Sequence, residues 1–231
     1  MSIFISILIL LISYVLGSIP FGLIIVRLTT GQDIRKVASG RTGGTNAMRA
    51  AGIWAGIATT LFDIFKAFGS VYLARFILPG NVWTEVLAPV MAVIGHNYSI
   101  FLLERNQGGR LQLRGGAGGA PAVGGAAGLW TPILLFIAPI GLFIFYFVGY
   151  ASVATISVPI ITTLVFAYQA YRGNLPWEWI AYGILTGMIL AWSLRPNFRR
   201  LLDGNERLVG YRARKNRGKT PTDSENTQPR T

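Results

Sequence analysis

Residues 3–26 read IFISILILLISYVLGSIPFGLIIV, an apolar run of 24 residues with no charge before Arg27. As a helix it extends about 36 Å at about 1.5 Å per residue, enough to cross a hydrocarbon core of about 30 Å with some tilt. No basic segment precedes the run and no small-residue cleavage site follows it, so the run predicts a retained span and not a cleaved leader. The rest of the chain agrees. Of its 231 residues, 52% are hydrophobic and only 13% charged, against about 25% charged in soluble domains. Those numbers exclude a soluble enzyme, a secreted disulfide scaffold and a disordered chain. With no cysteine, disulfides, thiolate catalysis and Cys-ligated zinc or iron–sulfur sites drop out as well. Neither a metal nor a cofactor is expected.

The net charge of +12 suggests nucleic acid only if its distribution is ignored, and no nucleic-acid partner is expected. Three segments carry all of it: residues 27–49 are net +4, residues 104–114 net +2, and residues 195–231 net +6. By the positive-inside rule all three face the cytoplasm, which puts the N-terminus outside. Between the first two basic segments the chain crosses twice, through residues 51–78 and 84–103, with Pro79-Gly80-Asn81 as the outer turn. Residues 151–170 and 177–194 are two further spans joined by Arg172-Gly173-Asn174-Leu175-Pro176, a good turn composition. Residues 116–150 then hold zero or two crossings. Their length suits two, a short Gly/Ala-rich one and another starting near Pro132, although the first half could instead re-enter. The expectation is an all-α polytopic membrane protein of about seven helices, N-out and C-in. Residues 1–206 form the membrane domain, and 207–231 a basic, disordered cytoplasmic tail resting on anionic membrane lipid.

The loop Ala38-Ser39-Gly40-Arg41-Thr42-Gly43-Gly44-Thr45-Asn46-Ala47-Met48-Arg49 carries the most chemistry. Glycines let several N–H groups point at one anion, hydroxyls add donors, and Arg supplies a fork matched to phosphate oxygens. The alternative is a solvated loop bearing positive-inside arginines, but hydroxyls, glycines and bases interleave here instead of segregating. A second segment, Gly108 to Gly119, places Arg110, Arg114, Gly115 and Gly116 where they could meet the same anion. Close helix packing explains its glycines equally well. His96, the only histidine, lies in an apolar span, where an ionisable group suggests function and an interhelical hydrogen bond is the plainer reading. Asp63 and Lys66 share a helix face and should pair structurally. Neither a carboxylate pair for acid–base work nor a Ser-His-Asp spacing is present. Such a phosphate-binding surface with few bases suits a substrate that arrives already activated.

These motifs, in order from about Leu16 to Glu206, resemble the bacterial acyl-phosphate-dependent glycerol-3-phosphate acyltransferases, the PlsY family. Ala38–Asn46 followed by Arg49 resembles that family's Gly-Ser-Gly-Asn-x-Gly-Ala-Thr-Asn loop. Gly17-Ser18-Ile19-Pro20-Phe21-Gly22 resembles its first helix, Asp63 with Lys66 its second, and Gly95-His96 the opening of its second signature. Arg195-Pro196-Asn197-Phe198-Arg199-Arg200-Leu201-Leu202-Asp203-Gly204-Asn205-Glu206 resembles its third. The resemblance implies an integral enzyme that transfers a fatty acyl group from acyl-phosphate to the 1-hydroxyl of glycerol 3-phosphate, giving lysophosphatidic acid and phosphate. It implies no coenzyme A or acyl carrier protein, and it points to the acyl-phosphate-producing enzyme as a partner. Carried over by position, Ser39, Arg49 and Asn197 would be catalytic, with Ser39 and Arg49 on substrate phosphate. Gly40, Arg41, Thr45, Asn46, His96, Arg110, Arg114, Gly115, Gly116 and Thr155 would bind substrate, Thr155 replacing a family serine.

The chain departs from the family at three points. Ala117 stands where the second signature has a phosphate-binding Lys, after an insertion around Asn106 to Arg110. Leu194 stands for the His of the third signature, and Arg41 for an Asn of the first. Arg41, Arg110 and Arg114 are the nearby cations that could replace the lost one, although Arg differs from Lys in reach and geometry. The other reading these losses leave open is a catalytically impaired descendant that binds a phosphorylated lipid or a partner enzyme. A small-anion transporter is the weakest reading, since duplicated halves are absent.

Overall fold

The computed structural model describes residues 2–105 and 109–217. The first apolar run is bent. Helix α1 (Ser2–Ser18) and helix α2 (Phe21–Thr30) are separated at Ile19-Pro20, where proline lacks an N–H and restricts the residue before it. Together they are one of four helical stretches, among the described residues, long and apolar enough to cross a membrane. The others are α4 (Ile53–Ile77), Thr131–Val148, and α8 (Ala151–Tyr171). Helix α9 (Trp179–Ser193) is apolar but only 15 residues long, and α5 (Val82–Asn97) has 16.

The bundle is held by close approach of small residues. Helix α1 crosses α5 where Gly17 meets Ala92 and Gly95 meets Tyr14 and Ser18; a Cβ on Gly17 would collide with the Ala92 carbonyl oxygen. With no water to exclude, packing of this kind is what joins helices in lipid. The main core gathers Val71, Val90, Val93, Ala122, Ala126, Phe166, Tyr182 and Leu190. Buried Tyr182 donates its hydroxyl hydrogen to the Ala122 carbonyl at 2.8 Å, as a phenol out of water must.

The structure corrects the expected all-α chain and the span at 84–103. Helix α5 stops at Asn97, and strands β1 (Ser99–Arg105) and β2 (Leu111–Arg114) pair antiparallel, with Leu103 opposite Leu113 and Glu104 opposite Gln112. A short apolar run such as Ile100–Leu103 does not distinguish helix from strand by periodicity. Its partner does: the Gly116 amide donates to the His96 carbonyl at 2.9 Å, so the chain must reverse beside the end of α5.

Between 116 and 150 the two halves differ. Helix α6 (Gly119–Leu129) has 11 residues and is buried in the bundle; at about 16 Å it is too short to cross a core of about 30 Å. Arg75 closes its C-terminal end, donating to the Gly128 and Leu129 carbonyls at 2.9 and 3.1 Å while pairing with Glu85. Thr131–Val148 is the long stretch, made of a 3-10 turn, α7 (Leu134–Phe143) and a π-turn over Ile144–Val148.

Two further elements depart from expectation. Residues Gly44–Ala51 form a separate short helix α3, divided from α4 by Gly52 at φ +87°. After α10 (Arg195–Leu202), the segment expected to be disordered from 207 is ordered as far as α11 (Gly210–Arg217). It is tied to the π-turn: the Val209 amide donates to Gly149 at 2.9 Å and Arg212 to the Val148 carbonyl at 3.1 Å. The carbonyls that end a helical turn need donors, and this segment supplies them. Residues 218–231 of the expected tail, and Asn106, Gln107 and Gly108 of the expected insertion, lie outside the described residues.

Candidate active site

The first loop is built by its own polar side chains. Asp33 accepts from the Arg35 amide at 3.0 Å, capping a single 3-10 turn over Ile34–Lys36. It also pairs with the Arg35 guanidinium at 2.6 Å, which holds the Asp33 carboxyl down at about 2. Arg35 reaches Glu104 on β1 at 2.7 Å, and the other Glu104 oxygen pairs with Arg114 on β2 at 3.1 Å. One carboxylate therefore ties the first loop to the hairpin.

Asn46 shapes the loop from beneath. Its buried Nδ2 shares two hydrogens among the carbonyls of Ile34, Val37 and Arg41 at 3.2, 3.0 and 2.8 Å, and its Oδ1 accepts from the Ser39 amide at 3.4 Å. Gly40 turns the chain at φ +69°. The side-chain amide of Asn46 is taken up by backbone groups of the loop, as buried polar groups require partners.

Loop, hairpin end, the end of α9 and α10 border an open cavity of about 750 Å³. Ser39, Gly40 and Arg41 line it from the loop, Arg114, Gly115 and Gly116 from the hairpin end, and Trp192, Ser193, Arg195, Arg199 and Arg200 from α9 and α10, with Tyr98 and Gln112. Five guanidinium groups face it and no carboxylate or imidazole does, among the described residues. Arg41 crosses to α9, donating to the Ser193 carbonyl at 2.6 Å and to its hydroxyl at 3.4 Å. Burial, then nearby Arg200, push its pKa below the usual guanidinium value. Arg195 lies over the Trp192 ring, and Arg200 pairs with Glu206 at 3.1 Å. Such a site can hold anions by charge-assisted hydrogen bonds.

The sequence-derived residues divide. Ser39, Gly40, Arg41, Arg114, Gly115 and Gly116 come together at the cavity. Arg49, Thr45 and Asn46 lie on α3 and do not line it. Arg49 sits near Arg207 and Glu206, its pKa lowered by burial first and by Arg207 second. Asn197, on α10 behind the cavity wall, donates to Glu206 at 2.7 Å, while its Oδ1 is buried without a partner. Arg110 is on the exposed hairpin. Thr155 packs against Gly119 at the start of α6. His96 lies under Gly116, its Nδ1 2.9 Å from Lys66 Nζ. The expected Asp63–Lys66 pair is present at 2.8 Å and buried.

Sequence reasoning passes over Trp192, Ser193, Arg195, Arg199 and Arg200. For the three arginines the signal is present in the third signature, where they fall within six residues after an apolar span; Trp192 and Ser193 precede that signature. Two of the three replaced positions are apolar here: Leu194 is buried between α9 and α10, and Ala117 lies between Gly116 and the α6 cap Gly118.

Residues 7–204 match the family model for glycerol-3-phosphate acyltransferases. A glycerol-3-phosphate acyltransferase of Thermus thermophilus is 36% identical over 204 residues, covering 88% of this chain and 95% of the relative. One of Rubrobacter xylanophilus is 34% identical, covering 90% and 97%. Among solved structures, PlsY (YgiH), an integral membrane glycerol 3-phosphate acyltransferase, matches in its glycerol 3-phosphate form with TM-score 0.76 and 30% identity over 89% of this chain and 96% of that one. Its lysophosphatidic acid form matches with TM-score 0.73 and 28% identity, over 89% and 95%. The chain belongs to the glycerol-3-phosphate acyltransferase family.

Proposed function

We propose that this member of the glycerol-3-phosphate acyltransferase family uses acyl-phosphate as its donor and works at the cytoplasmic face of the cell membrane. The observation that carries the reading is a cavity of about 750 Å³ lined by five arginines, glycine backbone and the Ser39 and Ser193 hydroxyls, beside apolar helices. Two phosphorylated substrates, one with an acyl chain that stays in lipid, fit those surroundings. The basic segments 27–49, 104–114 and 195–231 favour the cytoplasmic side.

In the proposed reaction the 1-hydroxyl oxygen of glycerol 3-phosphate attacks the carbonyl carbon of acyl-phosphate. The new ester C–O bond forms, the C–O bond to phosphate breaks, and inorganic phosphate leaves with its electron pair. The hydroxyl proton passes to a substrate phosphate oxygen, which agrees with the lack of a carboxylate or imidazole among the described lining residues. Phosphate is a good leaving group, so the protein's part is to position the substrates and neutralise charge. Ser39 and Arg41 on the first loop, Arg114 on the hairpin and Arg195, Arg199 and Arg200 on α10 are the groups placed for that work. Arg49 and Asn197 act from behind the wall, through α3 and Glu206.

The test is phosphate release by the purified protein in lipid, given palmitoyl-phosphate with and without glycerol 3-phosphate. Release that depends on glycerol 3-phosphate, with lysophosphatidic acid appearing in step, is the expected result. Ala117 and Leu194 favour one other reading, a descendant that binds phosphorylated lipid or the acyl-phosphate-producing enzyme without turnover. Folded protein that binds glycerol 3-phosphate and releases no phosphate would establish that reading instead.

A further inference from the structure

The hairpin has two unlike faces. Directly opposed residues lie on one side of a sheet and successive residues alternate. Leu103 and Arg105 on β1 therefore share a face with Leu113 and Leu111 on β2. The other face turns inward. It holds Leu102, which is buried, and Glu104, which reaches Arg35 and Arg114. It also holds Gln112, which with Leu113 and Arg114 lines the cavity. On the outer face Leu103 and Leu111 are more than half exposed, as are Ile100 and Phe101 at the irregular start of β1.

Contacts at both ends of β1 fix the level of that face. At its root the Ser99 hydroxyl donates to the Ser18 carbonyl, and Tyr14 donates to the Tyr98 carbonyl at 2.8 Å. Ser18 ends α1 inside the apolar run, nine residues before Arg27, which is up to about 13 Å along a helix. At the far end Glu104 meets Arg35 of the first basic loop at 2.7 Å. β1 thus runs from a level within the apolar run to the level of the basic loop, and its exposed apolar side chains lie between the two. A two-stranded sheet also has two open edges, whose N–H and C=O groups find no partner in hydrocarbon. Exposed apolar side chains beside a backbone that needs water fit the boundary layer of a bilayer, where both are available.

We propose that the outer face of the hairpin, Leu103 and Leu111 with Ile100 and Phe101, is seated in the phospholipid interface of the leaflet on the side of the first loop. Arg105, exposed on the same face, lays its stem along the apolar surface and its guanidinium at the level of the lipid phosphates. The proposal rests on the reading above only for the identity of that leaflet, the cytoplasmic one. The sheet then separates lipid on one face from the cavity on the other, and the bilayer sets the height of the Gln112 and Arg114 wall.

The chain has no cysteine, so Leu103→Cys and Leu111→Cys each give a single site for a nitroxide label. In phospholipid vesicles the label reports collisions with oxygen, which concentrates in lipid, and with a water-soluble nickel chelate. Leu164→Cys, on the exposed side of α8, and Arg172→Cys, in the turn between α8 and α9, are the lipid and water references. The ratio of oxygen to nickel collisions should be highest at 164, intermediate at 103 and 111, and lowest at 172. Ratios at 103 and 111 equal to that at 172 would overturn the proposal. Labels shielded from both reagents and broadened by a neighbouring label would do so as well, since a second copy would then cover the face. If neither hairpin variant folds, the parent decides: a phospholipid with a photoreactive group high in its acyl chain should cross-link within 100–103 or at 111. Adducts confined to the spans would overturn the proposal. None of these readouts needs turnover. Water-exposed labels in a protein that transfers acyl groups would end this assignment alone, and seated labels in a protein without transfer would end only the acyl-transfer reading.

Discussion

The Nη2 of Arg41, on the loop before α3, lies 2.6 Å from the carbonyl oxygen of Ser193 at the last turn of α9. The last carbonyls of a helix lack partners within it, and the dipole makes that end attractive to a cation. The contact therefore satisfies an orphan acceptor while carrying a positive charge to the wall of the cavity. It also brings the first loop and the last apolar helix into one site.

Asn46 should be the most sensitive residue of that loop. Asn46→Ala removes the donor for three carbonyls and leaves them in surroundings where water cannot easily replace it. The expected cost is about 1–3 kcal/mol in stability, with glycerol 3-phosphate affinity falling as Ser39 and Arg41 lose their geometry. Thermal unfolding and ligand titration of the same preparation measure both. Unchanged affinity in a destabilised protein would show that the loop holds its shape without the asparagine.

The buried Asp63–Lys66 pair, at 2.8 Å with His96 beside it, should behave as a unit. Lys66→Met alone leaves an unpaired carboxylate and should cost about 3–5 kcal/mol. Adding Asp63→Asn should return most of that loss, because two neutral groups carry no desolvation penalty. A double-mutant cycle on thermal stability in detergent reads the coupling directly. Additive losses would contradict it.

Gly116 has no room for a side chain: a Cβ there would collide with His96 Nε2. Gly116→Ala should displace either the ring or the cavity wall, costing about 1–3 kcal/mol and raising KM for the phosphorylated substrate. Gly69→Ala, where an added Cβ meets nothing within 4 Å, is the control and should change neither. Equal behaviour of the two variants would sink the close-packing account.

Acid should loosen the first loop at a defined place. The folded Asp33 carboxyl, held at about 2 by Arg35, lies below its ordinary value of about 3.9. A depressed carboxyl pKa contributes stability that is fully present above about pH 4 and fades as pH falls through about 2. Between neutrality and about pH 5 the Asp33–Arg35 pair should therefore be indifferent to pH. Limited proteolysis of the 33–42 segment should become faster below about pH 4 in the parent, and Asp33→Asn should show the faster rate at every pH. Acid protection of the parent loop would reverse the sign and refute the argument.

Several features are legible in the amino-acid sequence alone. Apolar runs of span length such as 3–26 declare a membrane protein because the bilayer permits little else of that length and composition. The Asp63–Lys66 pair follows from their spacing on one helix face. The mixture of hydroxyl, glycine and arginine in 38–49 points to an anion, and half of that loop's candidates do line the cavity. Asn46 and Arg49 share the motif with Ser39 and Arg41 yet face elsewhere, because α3 begins at Gly44 and turns them away from the cavity. A linear motif records proximity along the chain and says nothing of direction.

Membrane class and basic segments can thus be read from the amino-acid sequence, which also points to an anion, since each depends on composition or on neighbours a few residues apart. Only the tertiary structure decided that Ile100–Leu103 is strand, that α6 is too short to span, and that Arg195, Arg199 and Arg200 share a cavity with Ser39. Those outcomes depend on backbone partners far along the chain, the His96 carbonyl for the hairpin end and the Ser193 carbonyl for Arg41. A hydrogen bond between distant residues fixes conformation only once folding has brought them together, and no local pattern encodes it.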